Sequence, residues 1–290
     1  MTDMLKKAAI QVLSEVHPGN EPGFIIAGAQ KSATTSLHYY LNQHPDLRGS
    51  NPKEVCYFHD DRNYRKGKEW YRKAFINFRS PFKKGHFFET TPEYVYYKKA
   101  PARIYDFNRD MKIIIVLREP VQRAFSAWTM YRMLANQKEG LPDIFYNGNE
   151  LDISSGLVRE FFVPDEFPSF EQCIQSEIQK IDSDSDQQEP GILRRGIYLP
   201  QIRRYHKFFG KEQVLILGFK ELVNSLVPTL NRILEFLGLP ESSWSFLDCK
   251  KRNVNRYLVR LQPETKRFLK DFYQPYNRSL FEYLGYQPDW

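Results

Sequence analysis

Short apolar runs alternate along the chain with longer stretches in which apolar residues recur every three or four positions. The clearest run is Lys112–Leu117, where one basic residue precedes five apolar ones. Such runs predict buried strands at 24–28, 86–89, 112–117 and 213–218. The three- and four-residue repeats predict helices at 34–43, 68–76, 120–135, 168–181, 197–209, 225–238 and 263–284. This alternation predicts an α/β fold with a central parallel sheet and helices on both faces.

Two segments depart from the alternation. Residues 136–167 form a long, irregular stretch that is aromatic towards its end, and long loops in compact domains are usually lids or disordered segments. We favour a lid over the acceptor cleft, with disorder as the alternative. Residues 1–22 form a predicted N-terminal helical extension, because Met1–Val16 has an amphipathic pattern. At 290 residues the chain can bury one substantial core, so 1–290 is predicted to be a single domain.

Residues 23–37 combine the end of a strand, a loop of small residues and the start of a helix. Gly28 permits a tight turn, and Lys31 stands among hydroxyl residues where the helix begins. Backbone N–H groups, the helix dipole and one ammonium group together make a site for a phosphate. The spacing of a Walker A loop is absent. The segment predicts an anion site, with a plain strand-to-helix turn as the alternative.

A second pair of anion-binding side chains follows the strand at 112–117. Arg118 stands at the end of this strand, and Ser126 stands eight residues later in the next predicted helix. Pro120 suits the first turn of that helix. An arginine fork and a hydroxyl in this arrangement can converge on one phosphate. The alternative is an arginine at the sheet end and a solvated serine.

These two segments resemble the two cofactor motifs of the sulfotransferase superfamily. Lys31–Leu37 is similar to its 5′-phosphosulfate loop, with Ala33 where glycine is usual, and Leu117–Ser126 is similar to its 3′-phosphate motif. The resemblance implies a P-loop-like sheet and the cofactor 3′-phosphoadenosine 5′-phosphosulfate (PAPS), which leaves as PAP. The cofactor-binding residues it implies here are Gln30, Lys31, Ser32, Ala33, Thr34, Thr35, Ser36, Arg118 and Ser126.

The resemblance is nearest to the branch that contains the heparan sulfate sulfotransferases. Lys53–Phe58 is similar to a sequence motif of that branch whose glutamate is the proposed base, and Glu54 matches this glutamate. Glu89–Tyr94 resembles a second motif, but Thr90 stands where many members have lysine. The second half of the chain implies further cofactor contacts at Arg195, Gly196, Tyr198, Lys251, Arg252 and Asn253.

The implied reaction is an in-line sulfuryl transfer, in which the protein positions the reactants and stabilises negative charge. Lys31 would offset charge on the leaving group, and Glu54 would take the acceptor proton as general base. His59 and His86 are alternative bases, since cytosolic members of the superfamily use histidine. No metal is expected, because the leaving group is a stable phosphate.

Composition sets the remaining bounds. The chain has 42 basic and 35 acidic residues, a formal charge of +7 that suits an anionic cofactor and an acidic partner. No block of basic residues indicates nucleic acid, and no 18-residue apolar span indicates a membrane helix. The three cysteines, at 56, 173 and 249, are widely spaced and are expected to be reduced. We therefore expect a soluble, cytoplasmic protein.

Two questions stay open at this stage. The first is the class of protein, because a P-loop kinase or a nucleotide-binding module without sulfuryl transfer is the alternative to a sulfotransferase. The second is the acceptor, which we expect to be a saccharide or a 3-hydroxyacyl chain on an acyl carrier protein. The sequence predicts neither the acceptor nor the oligomeric state.

Overall fold

The structure, a computed structural model, describes residues 19–76, 86–137, 146–147, 150–151, 156–182, 190–250 and 259–290. Most of the predicted N-terminal extension lies outside these residues, as do Lys251, Arg252 and Asn253 and parts of the predicted lid. Across the described residues, no helix has the length and apolar character needed to cross a membrane.

A five-stranded sheet forms the centre of the fold. Its strands are β1 (Pro22–Gly28), β2 (Leu47–Gly49), β3 (His86–Thr90), β4 (Lys112–Leu117) and β7 (Val214–Gly218). They lie in the order β2-β3-β1-β4-β7, and every neighbouring pair is parallel. A small antiparallel pair, β5 (Tyr146–Asn147) and β6 (Glu150–Leu151), lies apart from it. The predicted parallel sheet is confirmed.

The helices follow the predicted pattern with some additions. They are α1 (Thr34–Leu41), α2 (Asp61–Tyr64), α3 (Gly67–Arg72), α4 (Ala100–Phe107), α5 (Pro120–Gln137), α6 (Gly156–Phe162), α7 (Phe170–Ile178), α8 (Tyr198–Phe208), α9 (Phe219–Asn224), α10 (Leu226–Leu237) and α11 (Pro263–Leu284). Short 3₁₀ turns occur at Lys73–Phe75, Arg194–Gly196 and Lys211–Gln213.

Both faces of the sheet are covered by helices, because successive side chains of β1 and β4 point to opposite faces. On one face, Ile25 and Ile113 pack in a cluster with residues of α4, α8 and α11. On the other, Ile26 and Ile114 pack with residues of α1 and α10. A third cluster joins α5, α6, α7 and α11. Burial on both faces explains why these strands are continuous apolar runs.

The differences from the predicted elements are local. Strand β2 has only three residues, and α2, α4 and α9 are short, so none gives a long enough repeat to be recognised. Within the predicted irregular segment 136–167, residues 156–162 form α6 instead. Leu157, Val158 and Phe161 of this helix are buried in the third cluster. Apolar residues spaced three apart pack this part of the segment onto α5 and α7.

Candidate active site

The loop after β1 has the geometry of an anion site. Gly28 is required at the end of the strand, because a Cβ there would lie 2.4 Å from Val95 Cγ1. Lys31 and Ala33 have left-handed backbone conformations, with φ of 69° and 61°. Ala33 is the N-cap of α1, and the first backbone bond inside the helix is the one that Leu37 donates to its carbonyl. The amides at the start of α1 therefore face outward, where an anion can accept from them.

Ser32 is the residue of this loop whose buried side chain indicates a ligand. Its side chain is fully buried, and its hydroxyl oxygen has no hydrogen-bond partner among the described residues. Thr34 and Ser36 are buried beside it. A buried hydroxyl without a partner is costly unless a ligand meets it. The loop is thus built to receive a group that accepts hydrogen bonds.

Arg118 connects this loop to the second anion motif. Its Nη1 donates to the carbonyl of Lys31 at 2.9 Å, and its guanidinium lies 4.6 Å over the ring of Phe219. Tyr198 in α8 donates its hydroxyl proton to the carbonyl of Arg118 at 2.7 Å. Ser126 is buried in α5. The carboxyl ends of β1 and β4 therefore bring together two motifs that are far apart in sequence.

The site carries an excess of positive charge. Burial, helped by the cations Arg118 and Arg123, lowers the pKa of Lys31 to about 8, and Glu54 opposes this shift. Arg123 was missed by the sequence reasoning. It is fully buried, its Nη2 donates to the carbonyl of Ile192, and its Nε and Nη1 have no partner in the described part of the chain. A cation among the apolar residues of α5 was the available signal.

Glu54 lies on the segment between β2 and α2. Its carboxylate is 45% exposed and forms an ion pair with Lys53. Its negative charge opposes the lowering of the Lys31 pKa. An exposed carboxylate therefore acts electrostatically on a half-buried ammonium group.

The two histidines considered as bases lie elsewhere. His59 is 3% exposed, stacks on the ring of Tyr97 at 5.1 Å and meets Tyr94 edge-on. Burial lowers its pKa to about 4. His86 is exposed at the first residue of β3. The anion motifs follow the carboxyl ends of the parallel strands. His86 therefore lies at the opposite end of the sheet, where the strands begin.

Arg195 occupies a buried polar cluster next to the loop. It donates to Glu93 Oε2 at 2.5 Å and to the hydroxyl of Tyr97 at 3.2 Å. Gln30 donates to the other oxygen of Glu93 and to the hydroxyl of Tyr131, both at 3.0 Å. This cluster links Gln30 of the anion loop to the 3₁₀ turn before α8.

Gly196 lies where two elements come close together. A Cβ on it would lie 2.9 Å from the hydroxyl of Tyr273 and 3.1 Å from Pro120, so a larger residue would push α11 and α5 away. Lys251, Arg252 and Asn253 lie outside the described residues.

The family model described as "Sulfotransferase domain" matches residues 21–271. The chain belongs to the sulfotransferase family. Its similarity to known proteins extends over nearly the whole length. Heparan sulfate glucosamine 3-O-sulfotransferase 5 of Mus musculus is 27% identical over 292 residues, 93% of this chain and 74% of the relative. Membrane-associated sulfotransferase kil1 of Dictyostelium discoideum is 24% identical over 319 residues, 93% of this chain and 66% of the relative.

Solved sulfotransferases share the fold. The crystal structure of the sulfotransferase from Alicyclobacillus acidocaldarius has a TM-score of 0.62 and 24% identity, and the match covers 92% of this chain and 97% of that one. Mouse sulfotransferase SULT7A1 complexed with PAP has a TM-score of 0.51 and 14% identity, over 93% of this chain and 90% of that one. The P-loop-like fold expected from the resemblance is confirmed.

The sulfotransferase is an enzyme that uses PAPS, and the chemistry of the loop fits this donor. The unpartnered Ser32 hydroxyl, the outward amides of α1 and the cations around Lys31 all suit a phosphosulfate group. The expected kinship with the heparan sulfate branch is confirmed. The alternative of a kinase or an idle nucleotide-binding module is set aside.

Proposed function

We propose that this sulfotransferase moves the sulfuryl group of PAPS to an acceptor hydroxyl, with Glu54 as the general base and Lys31 as the cation beside the leaving group. One observation carries the proposal. Glu54 has an exposed carboxylate whose charge acts on the pKa of the half-buried Lys31, which lies in the loop that Arg118 joins to the second anion motif. Exposure lets an acceptor hydroxyl reach Glu54, and partial burial strengthens the field of Lys31 at the donor.

The remaining polar groups would hold the donor. The amides and hydroxyls of residues 32–36 suit the 5′-phosphosulfate, and Arg118 with Ser126 suits the 3′-phosphate. Arg195, Gly196 and Tyr198 lie beside this region, with Arg195 held by Glu93. When bound, PAPS would supply a sulfuryl group on a phosphate leaving group. Glu54 would accept the proton of the acceptor hydroxyl as its oxygen bonds to sulfur, and Lys31 would offset the negative charge of the PAP that leaves.

Burial favours Glu54 over His59 as the base. A general base must come within hydrogen-bond reach of the proton it removes. His59 is 3% exposed and is enclosed by the rings of Tyr94 and Tyr97, so an acceptor hydroxyl does not come within its reach. Glu54 is open to solvent and faces the cationic loop.

A saccharide is the acceptor that the relatives support best, since several of them are heparan sulfate glucosamine 3-O-sulfotransferases. The net charge of +7 suits an acidic saccharide and equally an acidic carrier protein. Thr90 is buried, and its Oγ1 lies 2.9 Å from Nδ1 of His38, so this position lacks the cation that many members of the heparan sulfate branch have near the reacting sulfate. The loss of this cation counts against a fully sulfated heparan acceptor.

Transfer of labelled sulfate from PAPS to a panel of acceptors tests this proposal. The panel contains unsulfated and sulfated glucosamine saccharides, carrier-bound 3-hydroxyacyl chains, phenols and lipid alcohols. We expect transfer to a saccharide hydroxyl, with weakly sulfated acceptors preferred. Transfer only to the carrier-bound chain would replace the saccharide by the second acceptor class, and transfer to none would contradict the proposal.

Substitution of the base gives the second test. Glu54→Gln should lower kcat by about 10²–10⁴ while PAP affinity stays unchanged. Glu21→Gln is a matched control, because Glu21 is also 45% exposed and forms an ion pair, with Arg72. Glu21 differs in position, since it precedes β1 at the end of the sheet opposite the anion motifs. His59→Ala and His86→Ala complete the set. A His59→Ala enzyme that is inactive beside a nearly normal Glu54→Gln enzyme would contradict the assignment.

A further inference from the structure

The segment that follows Glu54 is held by side chains in an unusual way. Four successive backbone N–H groups, from Val55 to Phe58, donate to side-chain oxygens of one short stretch of chain. Val55 donates to the carboxylate of Glu89, and Cys56 donates to Thr91 Oγ1 at 3.5 Å. Tyr57 and Phe58 both donate to the hydroxyl of Tyr94, at 2.9 and 3.3 Å. The segment carrying the base is thus anchored to the end of β3 and the turn after it.

Glu89 is the centre of this arrangement. It is fully buried and accepts hydrogen bonds from Tyr71 at 2.5 Å, Thr91 at 2.6 Å and Tyr94 at 2.7 Å. These donors are hydroxyl groups, and the fourth is the amide of Val55. Burying a carboxylate without a cation is costly, and an apolar residue of similar volume would cost less. A residue this costly at this place indicates a role beyond filling space.

Oε1 of Glu89 fixes the direction of the hydrogen bonds that it receives. Thr91 and Tyr94 both donate to this oxygen, which accepts whether the carboxyl group is ionised or carries its proton on Oε2, so both hydroxyls point their protons at Glu89. Their lone pairs then face the amides of Cys56, Tyr57 and Phe58. An amide side chain at position 89 would bring an NH₂ group against hydroxyl donors and would disturb this order.

The segment also turns sharply where it is anchored. Cys56 has φ of 56°, a conformation that non-glycine residues adopt only when their surroundings hold them there. The turn lies two residues after Glu54, so its geometry sets where the carboxylate of Glu54 lies relative to Lys31.

We propose that Glu89 is a positioning residue for the catalytic base. Through Val55, Thr91 and Tyr94 it holds residues 55–58, and thereby Glu54, in place relative to the loop after β1 (residues 29–36), which we call the donor loop. This inference rests on the proposed role of Glu54. It adds a buried residue that touches neither donor nor acceptor and yet controls the rate of transfer.

Glu89→Gln and Tyr94→Phe test the proposal. Each should lower kcat by about tenfold to a hundredfold, because a small displacement of a base has effects of this size. The affinity for PAP should change by less than about twofold, since the hydrogen bonds of Glu89 and Tyr94 go to residues 55–58, Tyr71 and Thr91 rather than to residues 30–36. Circular dichroism verifies folding. If Glu89→Gln fails to fold, Tyr94→Phe decides alone, because it removes one phenol oxygen and leaves the carboxylate in place. A kcat within about twofold of wild type in the folded variants would overturn the proposal.

The double variant Glu54→Gln/Glu89→Gln separates positioning from a general structural effect. If Glu89 acts through Glu54, its substitution lowers the residual single-turnover rate of Glu54→Gln no further. A loss that multiplies with that of Glu54→Gln would overturn the positioning role. If Glu54→Gln alone keeps nearly normal activity, the base assignment is wrong, and that result differs from either outcome for Glu89.

Discussion

Two regions of the site are held in place by different means: the donor loop, residues 29–36, and the base segment, residues 54–58. The donor loop is held by backbone hydrogen bonds. Ala29 donates to the carbonyl of Val116, Ser32 to that of Ala29 and Leu37 to that of Ala33. In the base segment, the backbone amides donate to side chains at the end of β3 and in the turn after it. The loop keeps the Ser32 hydroxyl available for a ligand, whereas the base segment depends on buried polar groups for its shape.

The two regions also differ in charge. The loop gathers cations, which together with burial lower the pKa of Lys31 to about 8. Beneath the base segment lies a buried acid, and burial raises the pKa of Glu89 to about 7. Each region therefore contains one group whose pKa is shifted towards neutral pH. This difference indicates that donor binding and proton removal can be altered separately.

The stability of the base side should depend on pH. The pKa of Glu89 rises from 4.5 to about 7 on folding, because burial disfavours the ionised form. The stability that the protonated form contributes is therefore fully present below pH 4.5 and is lost as pH rises through 7. The unfolding free energy of wild type minus that of Glu89→Gln should fall by about 3 kcal/mol between pH 4.5 and 8. Urea unfolding at both pH values measures it.

The surroundings of Glu89 do not titrate in this range. Burial raises the pKa of Tyr71, Tyr94, Cys56 and Tyr205, so all four stay protonated. A stability difference independent of pH would mean that Glu89 is not strained by burial, and the contrast with the donor loop would then disappear.

Lys31→Ala tests the donor side. Loss of a cation beside the leaving group should cost about 3 kcal/mol of transition-state stabilisation, or about a hundredfold in kcat/KM for PAPS. Steady-state kinetics measures it, and circular dichroism should show an unchanged fold. A near-normal rate would place the leaving group away from this loop.

Arg118→Ala and Ser126→Ala should act on affinity more than on chemistry. The charge-assisted contact of Arg118 is worth more than a neutral one, so we expect about tenfold to a hundredfold weaker PAP binding, against about threefold to tenfold for Ser126. Calorimetry with PAP measures both. Adenosine 5′-phosphosulfate, which has no 3′-phosphate, should bind wild type poorly, and equal binding of the two donors would remove the 3′-phosphate role.

The sequence predicted the parts of the molecule that depend on local order. Strands β1 and β4 are continuous apolar runs, and the donor loop lies within one short stretch of chain, so both were recognisable. The arrangement around Glu89 could not be recognised from the sequence, although Glu89 belongs to a recognised sequence motif. Its partners Tyr71 and Val55 lie 18 and 34 residues away, and only the fold brings them together. Arg123 differs, because its place among the apolar residues of α5 was a local signal that the sequence reasoning passed over.

The pH dependence of kcat in Glu54→Gln, beside wild type and Glu21→Gln, tests the central claim most directly. At saturating PAPS, wild type and Glu21→Gln should lose activity as pH falls, because protonation removes the base. Glu54→Gln should be about 10²–10⁴ slower and should show no acidic limb. An unchanged acidic limb in Glu54→Gln, with a rate close to that of wild type, would contradict the account and assign the proton transfer to another residue.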